Sequence, residues 1–157
     1  MDDADWERSR RLEVMGMPNW AVGDLKVRGA AKNLKHFLDN IDPENSYWIK
    51  GTRRTFASEA SLEDAKDQIE WDEPHDEDVL TIVLENVETA WGITRKDNLQ
   101  QLEALSKKFC VDLRTTVWEQ GMEFKEEVEI LQGRCTILST VEYNDWIWES
   151  ERPTTGG

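Results

Sequence analysis

Two segments of this chain carry a clean helical apolar stripe among alternating strand-like segments, and that pattern restricts the fold more than any other feature. Leu34, Phe37, Leu38 and Ile41 recur at the i, i+3, i+4, i+7 spacing and predict a helix over residues 30–41, stopped by Asp42-Pro43. Leu99, Leu102, Leu105 and Phe109 predict a second over residues 97–109, with Asp97 and Gln100 as a capping pair. A shorter helix is expected within residues 58–69, with Ser61 as its cap and Leu62, Ala65 and Ile69 along one side. Strands are expected at residues 24–28, ended by Gly29, and at 47–49, 79–87, 113–119, 124–131 and 134–143. Residues 79–87 are β-branched and apolar on both faces at their start, which predicts a central strand. Gln120-Gly121 and Gln132-Gly133 read as turns, and Gly51-Thr52-Arg53-Arg54 as a basic turn. One-sided helices must share one face of a sheet, so the class is α+β. The order β-α-β-β-α-β fits a ferredoxin-like plait, the split βαβ, with two helices on one face of an antiparallel sheet and extra C-terminal hairpin strands.

Charge is distributed unevenly along this framework. The chain has 157 residues, 33 acids against 19 bases, and a net charge of −14. Residues 1–60 hold ten acids and ten bases, so residues 61–157 carry the whole excess. Residues 70–88 hold eight acids and no Lys or Arg. Such a surface repels nucleic-acid phosphates and attracts basic proteins. No apolar run approaches a membrane span, and the N-terminus has no apolar signal core. Cys110 and Cys135 are too few for a disulfide framework, which points to a reducing compartment.

The expected organisation is an extension over residues 1–16, one domain over 17–148 with an acidic insertion at about 57–78, and a disordered tail over 149–157. Glu13-Val14-Met15-Gly16 back-translates to a purine-rich string resembling a ribosome-binding sequence ahead of the Met17 codon, so translation is expected to start at Met17.

Met17-Pro18-Asn19-Trp20, Thr89-Ala90-Trp91 and Glu119-Gln120-Gly121-Met122-Glu123-Phe124, read in that order, resemble the YubB-type ferredoxin-like domain of plasmids and bacteriophages. Residues 102–109, Leu-Glu-Ala-Leu-Ser-Lys-Lys-Phe, occupy the family's helix position, and the resemblance spans about residues 17–143. Cys110 stands where the family has proline, and Gly92-Ile93-Thr94 replaces its proline-containing stretch. The resemblance implies the plait fold and a setting in mobile elements and the bacterial cytoplasm, and no activity.

No constellation for catalysis stands out. His36 lies off the stripe of its helix and His75 sits among acids, so neither has a nucleophile and an orienting group in sequence context. The acidic loop lacks the glycine and ligand spacing of a calcium loop, and no phosphate-binding or dinucleotide glycine pattern occurs. No catalytic residue, metal or cofactor is therefore expected, and both cysteines are expected as buried small hydrophobes. The anomaly is eight tryptophans, at 6, 20, 48, 71, 91, 118, 146 and 148. Trp20 and Trp91 are expected in the core or closing the domain.

Two binding readings follow. The first is a non-enzymatic module of a mobile element that engages a basic host nucleic-acid-binding or defence protein by charge mimicry. It uses an acidic face made of Glu70, Asp72, Glu73, Asp76, Glu77 and Asp78 together with the hairpin acids Glu123, Glu126, Glu127 and Glu129. Reversing Glu126, Glu127 and Glu129 is expected to damage binding more than changes near Lys26. The second is a single-strand nucleic-acid binder on the open sheet face, with Arg114 and Trp118 as platform, Trp146 and Trp148 beside it, and Arg53 and Arg54 as phosphate contacts. A homodimer through the open face is a further option; a membrane is not.

Overall fold

The computed structural model describes residues 20–119, 121 and 123–142. Met17-Pro18-Asn19, the expected Met17 start, the extension, Gln120, Trp146, Trp148 and the C-terminal tail lie outside the described residues.

The chain forms one eight-stranded antiparallel sheet with three helices. Strand β1 (Trp20–Ala30) is followed by α1 (Ala31–Asp39), then three two-residue strands, β2 (Ile41–Asp42), β3 (Trp48–Ile49) and β4 (Thr55–Phe56). Helix α2 (Glu59–Trp71), β5 (Val79–Ala90), α3 (Lys96–Phe109), β6 (Asp112–Glu119), β7 (Phe124–Leu131) and β8 (Arg134–Glu142) complete it. The order across the sheet is β2-β3-β4-β5-β1-β6-β7-β8. Strands β5 and β6 both run antiparallel to β1 and flank it, so β5-α3-β6 is a βαβ unit split by β1. The sheet has eight strands where six were expected, because β2 and β4 are too short to leave a period in the sequence.

The helices cover one face. Leu25 and Val27 of β1, Ile82 and Leu84 of β5, Leu113 and Val117 of β6, and Val128 and Ile130 of β7 point towards them and are buried. Leu34, Phe37 and Leu38 of α1, Leu62, Ala65 and Ile69 of α2, and Leu102 and Leu105 of α3 close the same core. Burial of each large aliphatic side chain contributes about 1.5–3 kcal/mol.

Several local expectations change. Strand β1 runs six residues further than expected, through Gly29 to Ala30 at one end and back to Trp20 at the other. Ile41 leaves the first helix and pairs with Ile49 in β2. Ser58, not Ser61, caps α2: its hydroxyl accepts from the Ser61 N–H at 3.1 Å while the Ser61 hydroxyl accepts from the Ser58 N–H at 2.9 Å. Helix α3 starts after Arg95 without a side-chain cap, so Asp97 and Gln100 form no capping pair. Cys110 is exposed rather than buried, because it takes the left-handed C-cap conformation (φ 54°) and turns the chain out of α3. Trp91 is buried as expected, whereas Trp20 is half-buried on the open face.

The acidic segment is integrated in the fold. Helix α1 begins without a side-chain cap, and the loop before β5 replaces it: Ala31 and Lys32 donate their N–H groups to the carbonyls of Asp78 (2.8 Å) and Asp76 (3.1 Å). The surrounding carboxylates also complement the positive end of the helix.

Candidate functional site

The acids over which the first reading was drawn do not form one face. Glu70 ends α2 beside Trp71, and Asp72, Glu73, Asp76, Glu77 and Asp78 follow in the loop to β5; all six are exposed. Glu77 pairs with Lys32, and Asp78 Oδ2 accepts from the His75 N–H at 2.9 Å. The Glu77 carboxylate holds the Lys32 ammonium above its ordinary pKa. Residues 59–88, from α2 through β5, contain twelve acids and one lysine. Trp71, the last residue of α2, lies within this acidic limb and is 88% exposed. Trp71 carries no role among the sequence expectations. The available signal was its phase: it falls off the Leu62, Ala65, Ile69 stripe, inside a run of acids.

The hairpin acids lie elsewhere, on β7 and the turn before it. Strand β7 is three strands from β5, about 14 Å across the sheet. Glu126 must be removed from any binding face, since it is 1% exposed and points into the helix side. Its carboxylate accepts from the Ile93 N–H at 3.0 Å, the Thr94 N–H at 2.8 Å and the Thr94 hydroxyl. Burial pushes its pKa up, against the pull of those hydrogen bonds. Glu126 thereby ties the loop after β5, in which Trp91 (φ 67°) and Gly92 (φ 88°) are left-handed, to the sheet. Any side chain at residue 92 would collide with the Glu126 carboxylate, so glycine is required there. The Asn98 amide, buried in α3, donates to the Gly92 carbonyl from the other side. Glu129 is also committed, accepting from the Thr136 hydroxyl at 2.8 Å and from Arg114 at 2.8 Å, which in that order hold its carboxyl below the usual range. Glu123 and Glu127 are half-buried.

On the open face of the sheet, Trp118 of the second reading belongs to a row of side chains in one register. Asp42, Trp48, Phe56, Glu88, Val22, Trp118, Lys125 and Val141 are successive cross-strand partners, one from each strand, and form a row across all eight. Trp20 packs edge-on to Phe56 with ring centroids 5.9 Å apart. The Arg54 guanidinium lies over Trp20 at 5.1 Å and the Lys125 ammonium over Trp118 at 5.5 Å. Beside Trp118, a groove of about 390 Å³ is lined by Asp24, Lys26, Arg114 and Thr116. The structure thus joins Trp118, Arg114 and Arg54 on one face, while the Arg53 N–H donates to Gln101 of α3. Arg28–Asp112 and Arg114–Glu129, each at 2.8 Å, neutralise two cations of this face.

Among the described residues no three or more His, Cys, Asp or Glu side chains cluster as a metal site, and no helix is long and apolar enough to cross a membrane. Comparison of the chain with protein-family models, curated proteins and solved structures finds no match.

Proposed function

We propose that the protein is a non-enzymatic binding module that engages a basic protein surface through the acidic limb of α2 and the loop to β5. The observation that carries this reading is Trp71, 88% exposed within a segment of twelve acids and one lysine. A solvated face has no use for a bare indole, whereas interface hot spots are enriched in tryptophan ringed by polar residues. The carboxylates occupy Lys and Arg sites built for phosphate, and the indole fills an apolar gap between them. The reading takes the chain as a YubB-type, ferredoxin-like plait of a mobile element acting in the bacterial cytoplasm on a nucleic-acid-binding or defence protein. The split βαβ unit around β1 supports the plait.

The test is capture from a nuclease-treated bacterial lysate at about 50 and 200 mM salt, followed by competition between the captured protein's DNA and the purified chain. Basic proteins retained at low salt, lost with Trp71→Ala and with Asp72→Lys/Glu73→Lys, support the reading. Retention unchanged by both variants sinks it.

A second reading, single-stranded nucleic acid on the open face, is favoured by the stacked cations over Trp20 and Trp118. The paired carboxylates Asp112 and Glu129 weigh against it. Oligonucleotide quenching of tryptophan emission that disappears in Trp118→Ala would establish it.

A further inference from the structure

The two flanks of the sheet are treated differently by this chain. On one flank, β4 covers β5 only at Thr89 and Glu88, leaving the first half of β5 without a strand neighbour. There the Gln68 side chain of α2 bonds both the N–H (2.9 Å) and the carbonyl (3.0 Å) of Val83. On the other flank lies β8, nine residues long. Among the described residues, side chains bond its backbone at its start: the Cys135 N–H donates to Glu103 at 3.1 Å, and the Cys135 thiol reaches the Ile137 carbonyl. Past Ile137, no side chain among the described residues bonds its backbone. An unprotected edge strand is a template for another strand.

Its sequence is unlike the rest of the chain. Residues 135–141, Cys-Thr-Ile-Leu-Ser-Thr-Val, hold no charge, proline or glycine in a protein that is 33% charged. Leu138 and Val141 are 54% and 45% exposed. The usual protections of an edge, an inward lysine or a proline, are absent from it.

We propose that β8 pairs antiparallel with β8 of a second copy, about a two-fold axis at Leu138, to form one continuous sheet. Self-complementarity singles out the second copy as occupant. The axis sets Leu138 against the partner's Leu138, matches the uncharged stretch with itself, and brings Arg134 to the end of the partner strand that carries the partner's Glu142, twice by symmetry. Net charge sets the same arrangement. Each chain carries −14, and its acidic limb flanks β5, four strands from β8. In the dimer the two β5 strands stand nine strand spacings apart, about 43 Å, several times the ~8 Å screening length at physiological salt. Joining at the uncharged edge therefore keeps the two acidic limbs from repelling each other.

The experiment is light scattering and sedimentation of the full chain from low to high micromolar concentration, with hydrogen exchange of the β8 amides at both ends of the series. The expected result is a monomer–dimer equilibrium in which the β8 amides that face away from β7 become protected as the dimer forms. Leu138→Lys, at a half-exposed position, raises the dissociation constant by about tenfold or more with unchanged near-ultraviolet circular dichroism. Arg134→Glu and Glu142→Arg each weaken the dimer, and the double variant restores it. A monomer at every concentration, a dimer with unprotected β8 amides, or a double variant as weak as the singles overturns the proposal. Because the swap variants change only exposed charges, a fold defect in Leu138→Lys would not mask the answer.

Discussion

The Gln68 amide occupies the place of a missing strand, donating to the Val83 carbonyl at 3.0 Å and accepting from the Val83 N–H at 2.9 Å. One side chain thus supplies both bonds that a neighbouring residue would make. Its helix is positioned for this by Leu62, Ala65 and Ile69, whose burial fixes α2 against β5. Gln68→Leu keeps the volume and loses both bonds. It is expected to lower stability by about 1–2 kcal/mol in urea unfolding and to raise aggregation, because the freed edge of β5 can then pair with another chain. Unchanged stability would mean that water replaces the amide without loss.

The loop after β5 depends on the contact between Gly92 and Glu126. Gly92→Ala meets both a left-handed backbone and the Glu126 carboxylate, and Glu126→Ala leaves the Ile93 and Thr94 N–H groups unmatched. Each is expected to cost about 2–4 kcal/mol. The double variant is expected to cost clearly less than the sum, since removing the carboxylate removes the collision. A double-mutant cycle in chemical denaturation measures this directly.

The raised pKa of Glu126 sets a sign for pH dependence. A carboxyl that binds its proton more tightly in the folded than in the unfolded state favours folding below the ordinary Glu value of ~4.3 and loses that contribution as pH rises through the folded value. Glu129, held low by Thr136 and Arg114, acts in the opposite sense, and its contribution disappears as pH falls through its folded value. Side-chain carboxyl NMR is expected to show Glu126 titrating above, and Glu129 below, the exposed glutamates. Glu126→Gln is expected to make the stability profile above pH ~4.3 rise more steeply than in the parent chain. Coincident titration of the two carboxyls would contradict the burial of Glu126.

Among the described tryptophans, Trp71 and Trp91 differ most in environment, at 88% and 5% exposure. Trp71→Phe is expected to remove the red-shifted, readily quenched part of the emission with a stability change within about 0.5 kcal/mol. Acrylamide quenching reads the first and thermal unfolding the second. A loss of several kcal/mol would place Trp71 in the fold rather than at a binding surface.

Much of the framework was legible because it is local. The stripes of α1 and α3, the alternation of β6 and β7, and the Gln132-Gly133 turn each repeat with the period of their own element. Glu126 shows where local reading stops. Alternation with Phe124, Val128 and Ile130 already puts residue 126 in the inward phase, yet its charge argued for the surface. The donors that make its burial tolerable, Ile93 and Thr94, come from a loop 32 and 33 residues earlier, and no local pattern encodes that meeting.

The α+β class, the positions of the main helices and strands, and the concentration of acid beyond residue 60 follow from the amino-acid order alone, because periodicity and charge are properties of neighbouring residues. Which acids share a surface, the single row of Trp48, Phe56 and Trp118 across eight strands, and the Gln68 guard on β5, matched on β8 beyond Ile137 by no side-chain bond to the backbone among the described residues, appear only in the folded chain. Those relations depend on strand order and register, which arise from contacts between segments far apart in the chain.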